Sequence, residues 1–315
     1  MNILITGATG FIGSHLVERL IKEKKHKLII IKRKTSNIWR IKEFIDKCLV
    51  YDYEDFVDLE NIFKENKIDL IIHLAAKYVK QENDMNEINE MINTNISFPC
   101  TLLYYSYRYG VKYFINTGTC FEYKLGNKKI DEKQEYKPFN FYASTKLAFE
   151  EILRYYSFNK DVKAITLKLF YPYGEKDNNN KLIPFLIKNI IHNKEIFLTK
   201  GEQQLDYTYI EDVIDAYIKS IDFIKKIKNY EVFNIGSGKA ITIKKIVNYL
   251  FKLSQKKPVI FFDKIPYSLN EIMFLEANNK KAKELLKWKP KYSIYDGLKK
   301  IYNFYVKNLD FLNYD

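Results

Sequence analysis

The first twenty residues, MNILITGATGFIGSHLVERL, constrain the fold of this chain more than any other stretch. An apolar run breaks into Gly7, Gly10 and Gly13, and an apolar pattern with helical spacing follows. A strand, a tight turn and a helix fit that order. A turn without side chains lets a pyrophosphate approach the backbone, and N–H groups at the start of the helix face the anion. We therefore predict a dinucleotide site, although the same glycines suit a turn and a helix contact without any ligand.

Apolar runs alternate with helical patterns along the first half of the chain. The patterns predict strands at 27–31, 47–51, 68–74, 111–117 and 162–169, and helices at 55–66, 85–109 and 140–157. Continuous apolar runs of this kind are typical of parallel strands covered on both faces. We therefore predict an α/β fold, a Rossmann-type doubly wound parallel sheet whose cofactor lies at the carboxyl ends of the strands.

Charge and cysteine content narrow the class of protein. The net charge is +13, but the lysines are scattered along the whole chain, which favours a solvated surface over a nucleic-acid site. The cysteines, Cys48, Cys100 and Cys120, have no CxxC spacing and the histidines no metal-ligand spacing. No apolar run is long enough to span a bilayer, and the first predicted strand leaves no room for a signal peptide. We expect a cytoplasmic protein that binds no metal, nucleic acid or membrane.

Three cations, Lys32, Arg33 and Lys34, follow the predicted strand 27–31. NAD-preferring sites usually place a carboxylate here for the ribose 2′-hydroxyl. Arg33 suits a 2′-phosphate instead, through its planar guanidinium. The sequence therefore favours NADP(H), with NAD(H) as the alternative if these cations are only solvated loop residues.

Tyr142 and Lys146 stand four residues apart in a helical pattern, so that their side chains lie on one helix face. A tyrosine with a pKa of about 10 is a poor acid–base catalyst at neutral pH, and a neighbouring ammonium lowers that pKa. Thr119, just after the predicted strand 111–117, can hydrogen-bond the same substrate oxygen. Such a pair occurs by chance on many helices. Behind a dinucleotide turn it indicates an oxidoreductase site.

Together these motifs resemble the extended short-chain dehydrogenase/reductase family, the NAD-dependent epimerases and dehydratases. The matching segments are TGATGFIG at 6–13, DLIIHLAA at 69–76, TGT at 117–119, YASTK at 142–146, LKLFYPYG at 167–174, DYTYIEDVIDAY at 206–217, FNIGSG at 233–238 and WKPKYSIYDGL at 288–298. The family acts mostly on nucleotide sugars. The C-terminal part is most similar to its CDP-abequose synthase-like 4-ketoreductases.

The resemblance implies a set of site residues. The cofactor contacts that it implies are Gly7, Gly10, Phe11, Ile12, Asp52, Leu74, Ala75, Ala76, Tyr78, Asn95, Thr117, Tyr142, Lys146 and Phe170, to which the charge argument adds Arg33. The implied substrate contacts are Thr119, Cys120 and Tyr171. An arginine that commonly grips the diphosphate is Leu205 here, and a second is missing from the stretch YSLNEIMF at 267–274. Lys181 is a candidate to replace that grip.

The resemblance also implies how the chain is divided and assembled. Residues 1–170 would form the dinucleotide-binding domain, with 206–239 returning to it. Residues 171–205 and 240–315 would form a smaller C-terminal substrate-binding lobe. Family members usually dimerise by pairing two helices per subunit, which are the predicted helices 85–109 and 140–157 here, so we expect a homodimer.

The residues after Thr119 bear on the reaction. Dehydratases of this family carry Asp-Glu there, whereas this chain has Cys120 and Phe121, which cannot perform that acid–base work. We therefore expect hydride transfer at C4 of a nucleotide-linked 4-keto sugar, in deoxysugar or heptose precursor synthesis for surface polysaccharide, with Thr119, Tyr142 and Lys146 as catalytic residues. A 4-epimerase with tightly held NAD is the alternative. An idle dinucleotide-binding regulator is a third interpretation, which the intact catalytic set argues against.

Overall fold

The structure, a computed structural model, describes residues 1–54, 56–79, 84–254, 256 and 259–313. Its strands are β1 (Asn2–Thr6), β2 (Lys27–Arg33), β3 (Leu49–Tyr53), β4 (Leu70–His73), β5 (Tyr113–Thr119), β6 (Lys163–Leu169), β7 (Pro172–Tyr173), β8 (Ile196–Phe197), β9 (Gln204–Leu205), β10 (Thr208–Tyr209), β11 (Tyr230–Ile235), β12 (Ile241–Thr242), β13 (Ile260–Phe261) and β14 (Phe274–Leu275).

Its α-helices are α1 (Phe11–Glu23), α2 (Phe56–Glu65), α3 (Met85–Ile92), α4 (Phe98–Arg108), α5 (Phe141–Asn159), α6 (Leu182–Ile191), α7 (Ile210–Phe223), α8 (Ile243–Ser254) and α9 (Ile294–Lys307). Short 3₁₀ turns lie at Ile45–Lys47, Cys120–Glu122 and Leu309–Asn313, and π turns at Asn93–Ser97 and Ala282–Leu286. Within the described ranges, no helix has both the length and the apolar character that crossing a membrane requires.

A seven-stranded parallel sheet forms the centre of the molecule, in the order β11-β6-β5-β4-β1-β2-β3. After β3 the chain returns to the other side of β1 to form β4, so the strand order reverses between β1 and β4. Ligands of such sheets bind in the crevice at that reversal, outside the carboxyl ends of the strands. The predicted Rossmann-type doubly wound fold is confirmed.

Two apolar cores cover the two faces of this sheet, because alternate strand residues point to opposite sides. Ile3 and Ile5 of β1 pack in one core with Leu16 of α1. Leu4 packs in the other core with Leu102 of α4 and other side chains of α2 and α5. The helices therefore form layers on both faces, and they leave the carboxyl ends of the strands open for a site.

The C-terminal part of the chain packs against the face that carries α1. Small sheets β12-β9-β14 and β13-β8 lie there with α6, α8 and α9, and their apolar side chains belong to the same buried core as those of α1. β11, from the segment 206–239, pairs with β6 in the main sheet. The domain boundaries themselves stay a prediction.

Several strand boundaries differ from the predicted ones. β2 continues through Lys32 and Arg33 because these residues pair with Asp52 and Tyr53 of β3. β5 continues through Thr119 because it pairs with β6 to its last residue. Strand pairing uses backbone hydrogen bonds, so a strand can continue through residues with polar side chains. Candidate site residues that were predicted to follow the strands are therefore held within them.

The predicted helix 85–109 is divided by the π turn Asn93–Ser97. The Phe98 N–H bonds to the Asn93 carbonyl, five residues earlier. Pro99, near the start of α4, has no N–H to donate, which explains a local departure from the α-helical hydrogen-bond pattern.

Candidate active site

The three glycines form the turn between β1 and α1. Gly7 has a φ of +71°, and a Cβ there would lie 2.5 Å from the Ala75 backbone nitrogen. A Cβ at Gly13 would lie 2.1 Å from the Gly7 carbonyl oxygen. Gly10 is the N-cap of α1, and no described side chain caps that helix. The N–H groups of its first turn therefore face an approach that has no side chains in front of it.

A cleft of about 370 Å³ opens at this turn. It is lined by Thr6, Gly7, Thr9, Gly10, Ile31, Lys32, Arg33, Ser36, Tyr53, Leu74, Ala75, Ala76, Asn93, Thr94 and Phe98. The lining comes from the carboxyl ends of β1, β2, β3 and β4, where the strand order reverses. Its position, its size and its glycine turn fit a dinucleotide.

Asp52, a predicted cofactor contact, lies in β3. Its carboxylate pairs with the Lys32 ammonium, and the next residue, Tyr53, lines the cleft. Phe11 and Ile12 are the first residues of α1 and are partly buried. The Phe170 side chain is fully buried in the core, and its cofactor contact stays a prediction.

Asn95 and Thr117 have protein partners where cofactor contacts were predicted. The fully buried Asn95 amide accepts from the Lys77 N–H at 2.8 Å and donates to the Lys77 carbonyl and the Thr145 hydroxyl, each at 2.9 Å. The Thr117 hydroxyl donates to the His73 carbonyl at 2.9 Å and lies 2.6 Å from the Tyr217 hydroxyl. Asn95 therefore joins the loop after β4 to α5.

The candidate catalytic side chains lie on β5 and α5. Thr119 ends β5 and is 8% exposed, and Lys146 in α5 is 2% exposed. Tyr142, in the first turn of α5, meets Tyr78 edge to face with ring centroids 5.0 Å apart. Tyr78 is two residues beyond Ala76, which lines the cleft. The loop after β4 therefore connects the cleft with the tyrosine.

Burial controls the proton affinities of this pair. Burial raises the pKa of Tyr142, and the nearby Glu122 carboxylate raises it further. Burial lowers the pKa of Lys146 to about 8, although Glu122 and Glu150 attract its ammonium. The expectation that Lys146 brings the pKa of Tyr142 below its ordinary value does not hold here. The phenol keeps its proton at neutral pH, as a proton donor must.

Aromatic side chains surround the predicted substrate side. Tyr171 has a φ of +30°, a strained conformation of the kind that clusters at functional sites. Its ring centroid lies 5.6 Å from that of Phe121 and 5.3 Å from that of Tyr207. Cys120 is buried among these groups, and burial raises the pKa of its thiol, which suits packing rather than acid–base work. We call Phe121, Tyr171 and Tyr207 the aromatic wall.

Lys181 lies at the start of α6, close to the glycine turn. Its ammonium is 2.9 Å from the Asp177 carboxylate and 5.4 Å from the ring centroid of Phe11, the first residue of α1. The side chain is half-exposed. Lys181 therefore adds positive charge near the start of α1.

A group of charged residues beneath the site was not predicted. Lys168 of β6 is buried with Glu122 and Glu150; we call these three residues the buried charge cluster. One signal was present, since Lys168 interrupts the apolar run ITLKLF and a charge within a central strand needs a partner.

Fold and site define a Rossmann-type α/β protein with a dinucleotide-sized cleft, and its α5 carries Tyr142 and Lys146 at four-residue spacing. The sequence pattern of the NAD dependent epimerase/dehydratase family matches residues 3–236. The chain belongs to this family.

Three relatives illustrate the breadth of the similarity. The chain is 30% identical to CDP-abequose synthase from Salmonella muenchen and 28% identical to dTDP-4-dehydro-6-deoxyglucose reductase from Escherichia coli, in each case over 95% of this chain and 96% of the relative. A solved structure of UDP-glucuronic acid 4-epimerase from Bacillus cereus, in complex with UDP-glucuronic acid and NAD, is 29% identical. That structure superimposes with a TM-score of 0.86, covering 98% of this chain and 100% of the epimerase.

Proposed function

We propose that this chain is a nucleotide-sugar 4-ketoreductase that transfers hydride between NAD(P)(H) and C4 of a nucleotide-linked sugar. The observation that carries the proposal is the position of Thr119 at the end of β5, next to β4, together with Tyr142 and Lys146 one helical turn apart in α5. The Tyr142 ring packs against Tyr78, and Cys120 and Phe121 follow Thr119 in the chain. The carboxylate that follows them, Glu122, is buried under the strand end and paired with Lys168, so it suits no substrate contact. A relative whose name is that of a 4-dehydro sugar reductase supports the proposal.

The protein's own groups would manage the proton and the developing charge. Bound nicotinamide supplies or accepts the hydride. Tyr142 gives the proton on its Oη to the carbonyl oxygen of the sugar, and its raised pKa keeps that proton in place until transfer. The Lys146 ammonium, one helical turn away, stabilises the phenolate that remains. The Thr119 hydroxyl donates to the developing alkoxide. In reverse, the same groups serve a 4-dehydrogenase.

The experiment that tests this function is a screen of CDP-, GDP-, UDP- and dTDP-linked 4-keto sugars with NADPH and NADH, followed by nicotinamide absorbance. We expect stoichiometric consumption of reduced coenzyme with at least one sugar. A 4-epimerase is the second candidate, which the solved epimerase with a TM-score of 0.86 favours. It would interconvert sugars without net coenzyme consumption, and that result would replace the reductase by the epimerase.

For the cofactor we propose NADP(H), with NAD(H) as the alternative. Lys32, Arg33 and Ser36 line the adenosine end of the cleft, and the Asp52 carboxylate is engaged by Lys32. A guanidinium and a hydroxyl suit a 2′-phosphate. The Bacillus cereus relative was solved with NAD, so the preference rests on the cleft of this chain.

Arg33→Ala is expected to raise the KM for NADPH about 10- to 100-fold, the equivalent of one charge-assisted hydrogen bond, and to leave the KM for NADH within about twofold. Steady-state kinetics with both coenzymes measures this. Arg19→Ala, which removes an exposed arginine paired with Glu23 on α1, is the matched control. An equal effect on both coenzymes would contradict the 2′-phosphate contact.

We also propose that the chain forms a homodimer through α4 and α5. The two helices pack together and expose aromatic side chains on their outer surface. These are Tyr104, Tyr107, Tyr155 and Phe158. Exposed aromatic groups on adjacent helices are typical of interfaces.

The free thiols of Cys48, Cys100 and Cys120 support a reducing compartment such as the cytoplasm.

A further inference from the structure

The buried charge cluster lies directly beneath the end of β5. The side chains of Glu122, Glu150 and Lys168 are each 0% exposed. The Lys168 ammonium donates to Glu122 and, at 2.5 Å, to Glu150 Oε2. The Tyr136 hydroxyl donates to the other Glu150 oxygen at 3.1 Å. Glu150 and Lys168 would thus already form a balanced, hydrogen-bonded pair without Glu122.

Glu122 connects this cluster to the candidate catalytic threonine. Its Oε1 accepts the backbone N–H of Thr119 at 2.6 Å, while its Oε2 accepts from Lys168. The Thr119 hydroxyl in turn accepts the Phe121 N–H at 3.3 Å. These reciprocal bonds fix the 3₁₀ turn Cys120–Glu122 and the backbone from which the Thr119 hydroxyl projects.

The strand leaves room for this contact. A Cβ at Gly118 would lie 2.9 Å from Lys168 Cδ and 3.0 Å from Glu122 Oε1. The residue before Thr119 therefore has no side chain at the point where the cluster packs. A larger residue there would push the carboxylate away from the Thr119 N–H.

The charges balance only when the catalytic lysine is included. Lys146 is almost fully buried and is attracted by Glu122 and Glu150. With Lys168, the group holds two ammonium ions and two carboxylates. Buried charges need such compensation. Glu150 stands four residues after Lys146 in α5, and Glu122 and Glu150 both accept from Lys168, so the two carboxylates compensate the two ammonium ions together.

We propose that Glu122 is a positioning residue of this site: it holds the Thr119 backbone in place and supplies one of the two buried carboxylates that compensate Lys146 and Lys168. The inference rests on the proposed function, because it assigns Glu122 a role through Thr119 and Lys146. Glu122 itself reaches no substrate atom.

Two variants separate the two parts of this role. Glu122→Gln keeps an oxygen for the Thr119 N–H and removes the charge. Removing a negative charge lowers the pKa of the neighbouring groups. The alkaline limb of the pH–kcat profile is therefore expected to shift to lower pH by roughly one unit. Glu122→Asp keeps the charge but shortens the reach to Thr119. Its alkaline limb should stay in place, while kcat falls on the order of 10- to 100-fold, as small displacements of catalytic groups do.

The pH shift has to be interpreted against all groups that face Tyr142 and Lys146. These are Glu122 and Cys120 from the turn after β5, Tyr78 from the loop after β4, His73 from β4, Tyr217 from α7, Glu150 from α5 and Lys168 from β6. Each substitution leaves all of them in place except Glu122. Glu135→Gln is the matched control, because it neutralises an exposed carboxylate paired with Lys124, and it should move neither the limb nor kcat.

An unmoved limb in Glu122→Gln would overturn the counter-charge, and a wild-type kcat in Glu122→Asp would overturn the hold on Thr119. Hydrogen–deuterium exchange of the peptide that contains Thr119 reports on that hold without any turnover. We expect at least about tenfold faster exchange at that amide in Glu122→Asp; unchanged exchange would overturn the hold even if Glu122→Gln fails to fold. The two proposals can also fail separately. If exchange is faster in Glu122→Asp but Tyr142→Phe stays fully active, the contact between Glu122 and Thr119 is supported and the proposed function is contradicted.

Discussion

Tyr142→Phe is expected to lower kcat at least about 1000-fold, while coenzyme affinity stays within about twofold. A positioned general acid contributes on the order of 10²- to 10⁴-fold, and here the phenol is the proton donor to the sugar carbonyl. The substitution removes one hydroxyl and keeps the ring that packs 5.0 Å from Tyr78. Single-turnover and steady-state rates, together with a fluorescence titration of the coenzyme, separate the two effects.

The matched control for this loss is Tyr295→Phe. Tyr295 lies on α9, outside the proposed dimer interface, and its side chain is exposed to solvent. Removing its hydroxyl should leave kcat unchanged. A Tyr142→Phe variant whose kcat stays within a few-fold of wild type would remove Tyr142 from the chemistry.

The wild-type rate of reduction should also fall as the pH rises through about 8, because the Lys146 ammonium is present below that pKa and lost above it.

Much of the fold was predictable because its signals are local. The glycine turn, the buried strands and the helix that carries Tyr142 each lie within a short window of sequence. These elements form a parallel sheet, and the ligand cleft of such a sheet lies at the carboxyl ends of its strands. For that reason the sequence alone assigns Gly7, Gly10 and Arg33 to one place, and the family resemblance adds Ala75.

What the sequence did not reveal depends on contacts between distant residues and on burial. Lys168 meets Glu122 and Glu150, which are 46 and 18 residues away along the chain. The sequence predicts a lowered pKa for Tyr142 because it shows only the neighbouring ammonium of Lys146. In the folded protein, desolvation is the largest influence, and it raises the pKa of Tyr142. The hydrogen bonds of Asn95 also join distant parts of the chain, since its amide bonds the Lys77 backbone and Thr145 of α5.

Gly13→Ala is expected to abolish dinucleotide binding or weaken it on the order of 100-fold, and to lower the unfolding temperature by several degrees. The new Cβ would lie 2.1 Å from the Gly7 carbonyl oxygen and 2.8 Å from the Ala8 Cα. Both are backbone atoms of the turn, so relief requires moving the turn itself. Overpacking of this kind costs about 1–3 kcal/mol of the free energy of unfolding. Coenzyme titration and thermal unfolding measure the two consequences.

The control is the same glycine-to-alanine substitution at a position where the new Cβ meets no other atom. A Cβ at Gly126 has open space, with nothing within 4 Å, so Gly126→Ala should bind coenzyme and unfold like the wild type. Gly7→Ala should reproduce the Gly13 result by a second route, because its Cβ would lie 2.5 Å from the Ala75 nitrogen at a φ of +71°. If Gly13→Ala binds the coenzyme as tightly as Gly126→Ala, the close packing of α1 on β1 does not shape the site.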